Sequence, residues 1–115
     1  MTDSDAAAPA EAVVLLDDDG KAFDVPVGQV VEFALGGSRS GTGYEWVPKR
    51  FDPRIVAQAG GRSTESEAAF AGAPKVDLYR FIAKTAGTTS VEMGLERPFA
   101  TAPPVRMLHV TIRVH

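Results

Sequence analysis

Two glycines, Gly36 and Gly41, stand five residues apart in LGGSRSGTGYEWVP, Leu35 to Pro48, behind the strand-like run VVEFAL. A P-loop spaces its glycines this way to wrap phosphates. The chemistry of a P-loop is missing. Thr42 and Gly43 fill the positions where a lysine would reach the β and γ phosphates and a hydroxyl would hold magnesium. Tyr-Glu-Trp-Val-Pro then follows, aromatic and β-branched and closed by Pro48, so the segment forms a strand where an anion site needs a helix N-terminus. The glycine-rich loop must serve another purpose.

Other candidate chemistry is sparse. The chain has no cysteine and two histidines, His109 and His115, one on the outer face of the final strand and the other the last residue. Thiolate metal sites, disulfides and a cysteine nucleophile are excluded together. Asp17, Asp18 and Asp19 lack the alternating ligand spacing and closing glutamate of a calcium loop and read as a solvated turn. No serine lies in a nucleophile elbow. These absences imply no catalytic residues, no metal and no cofactor, and the chain is read as a binding protein and not an enzyme.

Twelve basic residues against fifteen acidic ones give a net charge of -3, and the basic ones are scattered singly. Without a basic patch there is no footprint for nucleic acid. No apolar run approaches the roughly 18 residues that span a bilayer, so no membrane is expected as a partner. The N-terminal MTDSDAAAPAEA has neither a basic n-region nor a hydrophobic segment and is not a signal peptide. As it stands the chain is expected in the cytoplasm; behind a removed leader it would be periplasmic or secreted.

At 115 residues the chain is one domain able to bury its own core. Residues 1–11 lack large apolar groups and read as a disordered tail, leaving 12–115 as the domain. VVLLDDDGKAFDV places Asp19-Gly20, a hairpin signal, between two apolar segments. QVVEFAL alternates to put Val31, Phe33 and Leu35 on one face, and YEWVP places Tyr44 and Trp46 on one side, with Trp46 as core anchor. A short strand is expected around Arg54 to Ala59, followed by an irregular polar loop. VDLYRFIAK, apolar on both faces, reads as a central strand. TSVEMGLER turns Val91, Met93 and Leu95 inward, and RMLHVTIRV does the same with Leu108, Val110, Ile112 and Val114. No helical period is sustained. About seven to eight strands at this spacing predict an all-β, immunoglobulin-like β-sandwich, monomeric because no strand shows a long apolar edge.

Three connections have unusual composition: GGSRSGTG, AAFAGAP and RPFATAPP. In a sandwich alternate connections emerge at the same end, so all three are expected to meet at one tip. Each combines small residues, which permit close backbone approach, with an Arg, Pro or aromatic that supplies rigid contact area.

At these residues the sequence resembles the chagasin family, immunoglobulin-fold inhibitors of papain-type cysteine peptidases, whose three loops carry NPTTG-aromatic-x-W, a GxGG-type motif and RPW. RSGTGYEW resembles the first, with Thr42, Gly43, Tyr44 and Trp46 on the matching positions. Gly72 to Phe99 resembles the span from the second motif to the third, with Gly72, Ala73 and Pro74 as the second loop and Arg97, Pro98 and Phe99 as the third. The resemblance implies a papain-family cysteine peptidase as partner, bound reversibly and without covalent chemistry. The peptidase-binding residues would be Arg39, Ser40, Gly41, Thr42, Gly43, Tyr44, Gly72, Ala73, Pro74, Arg97, Pro98 and Phe99.

Three departures stand out. Arg39, Ser40 and Gly41 replace Asn-Pro-Thr, Pro74-Lys75 replaces Gly-Gly, and Phe99 replaces Trp. Losing a proline and gaining a glycine raises the ordering cost of docking the first loop. These departures leave a second reading open, an immunoglobulin-like module that binds another protein or a glycan through the same tip.

Overall fold

The long strand at the centre of one sheet, Pro74–Ala83, pairs along its whole length on one side and with two short strands on the other. The computed structural model describes residues 12–39, 41–60, 63–66 and 72–115. The expected tail 1–11, Ser40 and most of the second loop lie outside them. Within the described residues there are nine strands: β1 Ala12–Val14, β2 Ala22–Val25, β3 Val30–Arg39, β4 Glu45–Arg50, β5 Val56–Gln58, β6 Ser63–Ser66, β7 Pro74–Ala83, β8 Gly87–Glu96 and β9 Arg106–Val114. They form one sheet in the order β1-β3-β7-β5, with β6 also on β7, and a second in the order β2-β9-β8-β4. Leu16–Asp18 is a single 3-10 turn, and the described residues contain no α-helix. The architecture is the expected immunoglobulin-like sandwich.

The period-two patterns explain the core. Val31, Phe33 and Leu35 from β3, Tyr79, Phe81 and Ala83 from β7, Val91, Met93 and Leu95 from β8, and Leu108, Val110, Ile112 and Val114 from β9 are all buried between the sheets. Their outward neighbours are exposed or half-buried, except Gly94 on β8, which is buried. Phe33 and Phe81 meet edge to face at 5.4 Å across the β3–β7 pair.

Two expectations from sequence need correction. Asp19-Gly20 does not close a hairpin: β1 runs parallel to β3 and β2 runs parallel to β9, in different sheets. The turn instead docks on β9, where the Gly20 N–H donates to the His109 carbonyl (2.7 Å) and the His109 N–H donates to Asp19 Oδ1 (2.8 Å). Two such short segments gain more from the free edges of long strands than from each other, because Val14 and Val25 are then buried between the sheets. The second correction concerns the polar stretch after β5, which contributes a further strand, β6, paired from Ser63↔Leu78 to Ser66↔Lys75. An edge strand held by backbone bonds carries no hydrophobic alternation for a sequence to show.

Candidate functional site

The first loop is shorter than its sequence suggests. β3 continues through Arg39, still paired to Pro74, because Gly36 and Gly37, standing opposite the single residue Val76, are taken up as a bulge between Leu35 and Ser38. Gly37 sits at φ 91, in the left-handed region that favours glycine. The Gly36 carbonyl, pushed out of the ladder, accepts the indole Nε1–H of Trp46 at 2.7 Å. The glycine pair therefore serves a bulge that receives the tryptophan, and has no part in phosphate binding.

Trp46 is fully buried and moored to the opposite sheet. Its backbone N–H donates to Asp77 Oδ2 (2.8 Å), and its carbonyl accepts the Tyr79 hydroxyl (2.6 Å). Asp77, also fully buried, accepts a further bond from Thr64 Oγ1 on β6 (3.1 Å). These bonds fix the start of β4, where the first loop ends.

Between Arg39 and Tyr44 the chain turns on itself. Thr42 lies between Gly41 at φ 82 and Gly43 at φ 81. Its hydroxyl donates to the Arg39 carbonyl (2.7 Å) and accepts the Tyr44 N–H (3.3 Å). The turn is thereby pinned from within.

The other two loops close on this turn. Arg97 Nε donates to the Thr42 carbonyl (2.9 Å) while its guanidinium lies 4.5 Å from the centre of the Tyr44 ring. Arg39 Nη1 donates to the Gly72 carbonyl of the second loop (2.9 Å). Gly43 lies so close to the third loop that a Cβ there would be 3.2 Å from Phe99 Cζ. Behind the tip the third loop folds back over β8, where a Cβ at Gly94 would meet Pro104 at 3.1 Å.

The structure thus gathers Arg39, Gly41, Thr42, Gly43, Tyr44, Gly72, Pro74, Arg97, Pro98 and Phe99 at one end of the sandwich, joined by the contacts above. Ala73 differs. It is fully buried and offers no surface to a partner, because it is the small residue over which the second loop enters β7. Ser40 lies outside the described residues. Phe99, by contrast, is 82% exposed, and Val105 at the end of the same loop is 64% exposed.

Sequence reasoning missed Val105. It borders a cavity of about 410 Å³ with Gly37, Ser38, Arg39, Thr42, Tyr44 and Leu95, just below the tip. A lone valine after two prolines carries no periodic signal, and only the register that returns its N–H to the Leu95 carbonyl (2.9 Å) places it there. Among the described residues no group of three or more His, Asp or Glu side chains could hold a metal.

A cross-braced cluster of loops with an exposed aromatic, carried on a β-sandwich, has the form of a protein-binding surface. Comparison with known proteins gives that class a family. The model of the chagasin family peptidase inhibitors, I42, matches residues 24–114, and the chain belongs to that family. Its function is accordingly peptidase inhibition, in preference to catalysis or binding of an unrelated protein or glycan.

Solved structures share the fold. The cysteine protease inhibitor EhICP2 from Entamoeba histolytica is 19% identical, over 94% of this chain and 100% of that one, with a TM-score of 0.74. Amebosin is 17% identical over 93% and 100%, with a TM-score of 0.72. PbICP-C, solved in complex with falcipain-2, is 14% identical over 96% and 95%, with a TM-score of 0.61. No curated protein matches the sequence significantly.

Proposed function

We propose that this chain inhibits papain-type cysteine peptidases by inserting the Thr42–Gly43 turn into the substrate cleft, with Arg97, Pro98 and Phe99 on one flank and Gly72 and Pro74 on the other. The observation that carries this reading is the clustering itself: three separate connections converge on one turn and are hydrogen-bonded to it. The domain, residues 12–115, acts as a monomer. Its hold is non-covalent and reversible: without cysteine the chain cannot form a disulfide with the peptidase's catalytic thiol. Pro98 and Phe99 are exposed while the loop that carries them is braced by Arg97, a combination that suits an anchor presented at low ordering cost. An interface of ordinary size, on the order of 800 Å² per partner, accommodates a tip of this extent.

Titration of papain with the purified protein tests the proposal. The expected outcome is full, reversible loss of activity at micromolar inhibitor or below, with the inhibitor recovered intact. Papain left fully active at that concentration, or released only with a cleaved inhibitor, contradicts it.

A further inference from the structure

We infer that Arg39 is a positioning residue that ties the second loop to the first, so that the inhibitory surface is formed before a peptidase arrives. This inference rests on the inhibitory reading above and assigns Arg39 a role inside the inhibitor in place of a contact with the enzyme.

Arg39 ends β3 opposite Pro74, the first residue of β7. From there it acts in two directions. Its carbonyl accepts both the hydroxyl (2.7 Å) and the N–H (3.4 Å) of Thr42, which holds the inserting turn. Its guanidinium reaches across to the Gly72 carbonyl (2.9 Å), which holds the second loop. One residue therefore couples the two loops through its main chain and its side chain.

Gly72 sits at φ 86, and among the described residues no atom beyond its chain neighbours lies within 4 Å of where its Cβ would be. The bond from the charged Arg39 guanidinium to the Gly72 carbonyl supplies a restraint at this turn. It immobilises only one side chain, because the acceptor belongs to the main chain.

The position matters as well. Arg39 stands directly ahead of Ser40 to Gly43, a loop that contains two glycines and no proline. Proline stiffens a loop by fixing its own backbone. Here the Arg39 carbonyl accepts from the Thr42 hydroxyl and Arg97 donates to the Thr42 carbonyl, so stiffness comes from hydrogen bonds within and between the loops. Ordering paid in the free protein is not charged again on docking.

Two variants of the whole chain test this, with papain as the probe. Arg39→Met keeps the side-chain length and removes the donor, and Arg39→Lys keeps a donor. Inhibition constants are measured alongside backbone NMR order parameters at Gly72 and Ala73 in the free inhibitor. In the methionine variant inhibition is expected to weaken about three- to tenfold, the scale of one lost restraint. The order parameter at Gly72 should fall from about 0.85 toward 0.6, with a smaller fall at the buried Ala73, and the lysine variant should keep most of the inhibition and the order. Parent-like inhibition by the methionine variant overturns the inference. So does weakened inhibition with unchanged order at Gly72 and Ala73, which would place Arg39 on the peptidase. A parent protein that leaves papain active contradicts the inhibitory reading instead, and the order parameters still decide whether the tie exists.

Discussion

The carboxylate of Asp77, wholly buried on β7, accepts the backbone N–H of Trp46 from the opposite sheet at 2.8 Å. Since β4 is an edge strand, this bond and the one from Tyr79 give its backbone partners across the core. Replacing Asp77 with Ala leaves a buried N–H without its acceptor, a loss of about 2 to 3 kcal/mol. Denaturant unfolding of Asp77→Ala should show that loss. A change below about 1 kcal/mol means that β4 is held mainly by its pairing with β8.

The mooring of Trp46 also shows where sequence reasoning succeeds and where it stops. Alternation on β3, β7, β8 and β9 is a local property of each strand, so the sandwich and its core were legible residue by residue. Trp46 was legible as a core anchor for the same reason. Its polar partners were not, because Asp77 and Gly36 reach it only through a bulge and a sheet-to-sheet approach that no local pattern encodes. The Asp19-Gly20 turn misled for the complementary reason: the local signal was sound, but two free strand edges competed for its flanks. At the tip, motif order indicated which loops to join. The two arginine bonds that join them became visible only in three dimensions.

Gly43 is required both for its backbone and for its space. At φ 81, with Phe99 Cζ 3.2 Å from the site of a Cβ, Gly43→Ala must take up a left-handed conformation costing about 1 kcal/mol and displace the phenylalanine. Unfolding should register that small loss. Inhibition should fall by more than stability does, because the displaced ring belongs to the proposed interface. Equal inhibition by Gly43→Ala and the parent excludes a close fit between the turn and the third loop.

Arg97 braces the third loop much as Arg39 braces the second. Its bond to the Thr42 carbonyl and its contact with the Tyr44 ring both lie at the surface, so each contributes on the order of 0.5 to 1 kcal/mol. Arg97→Ala should change the melting temperature little and weaken papain inhibition at least tenfold, through loss of both the brace and any contact with the enzyme. Inhibition within twofold of the parent argues against either role.

Acid should loosen the turn that carries the chain from one sheet to the other. The Leu15 N–H (2.8 Å) and then the Lys21 ammonium (3.1 Å) hold the Asp18 carboxyl below its ordinary value of 3.8. A carboxyl depressed in the folded state stabilises that state above its unfolded pKa, and the contribution disappears as the pH falls through the folded pKa. Asp18→Asn should thus be less stable than the parent at neutral pH and equal to it in strong acid. A difference that persists unchanged in acid would trace to packing and not to the charge.

Phe99 offers the sharpest separation of function from fold. At 82% exposed its ring contributes little to the core, and Phe99→Ala should leave unfolding within about 0.5 kcal/mol of the parent. If the ring is an interface anchor, the same change weakens papain inhibition by about 1 to 3 kcal/mol. Phe99→Trp restores the aromatic of the family motif, with more area and an indole N–H, and should bind more tightly than the parent. Alanine and tryptophan variants that both inhibit like the parent would remove the third loop from the interface and leave the Thr42–Gly43 turn to carry it.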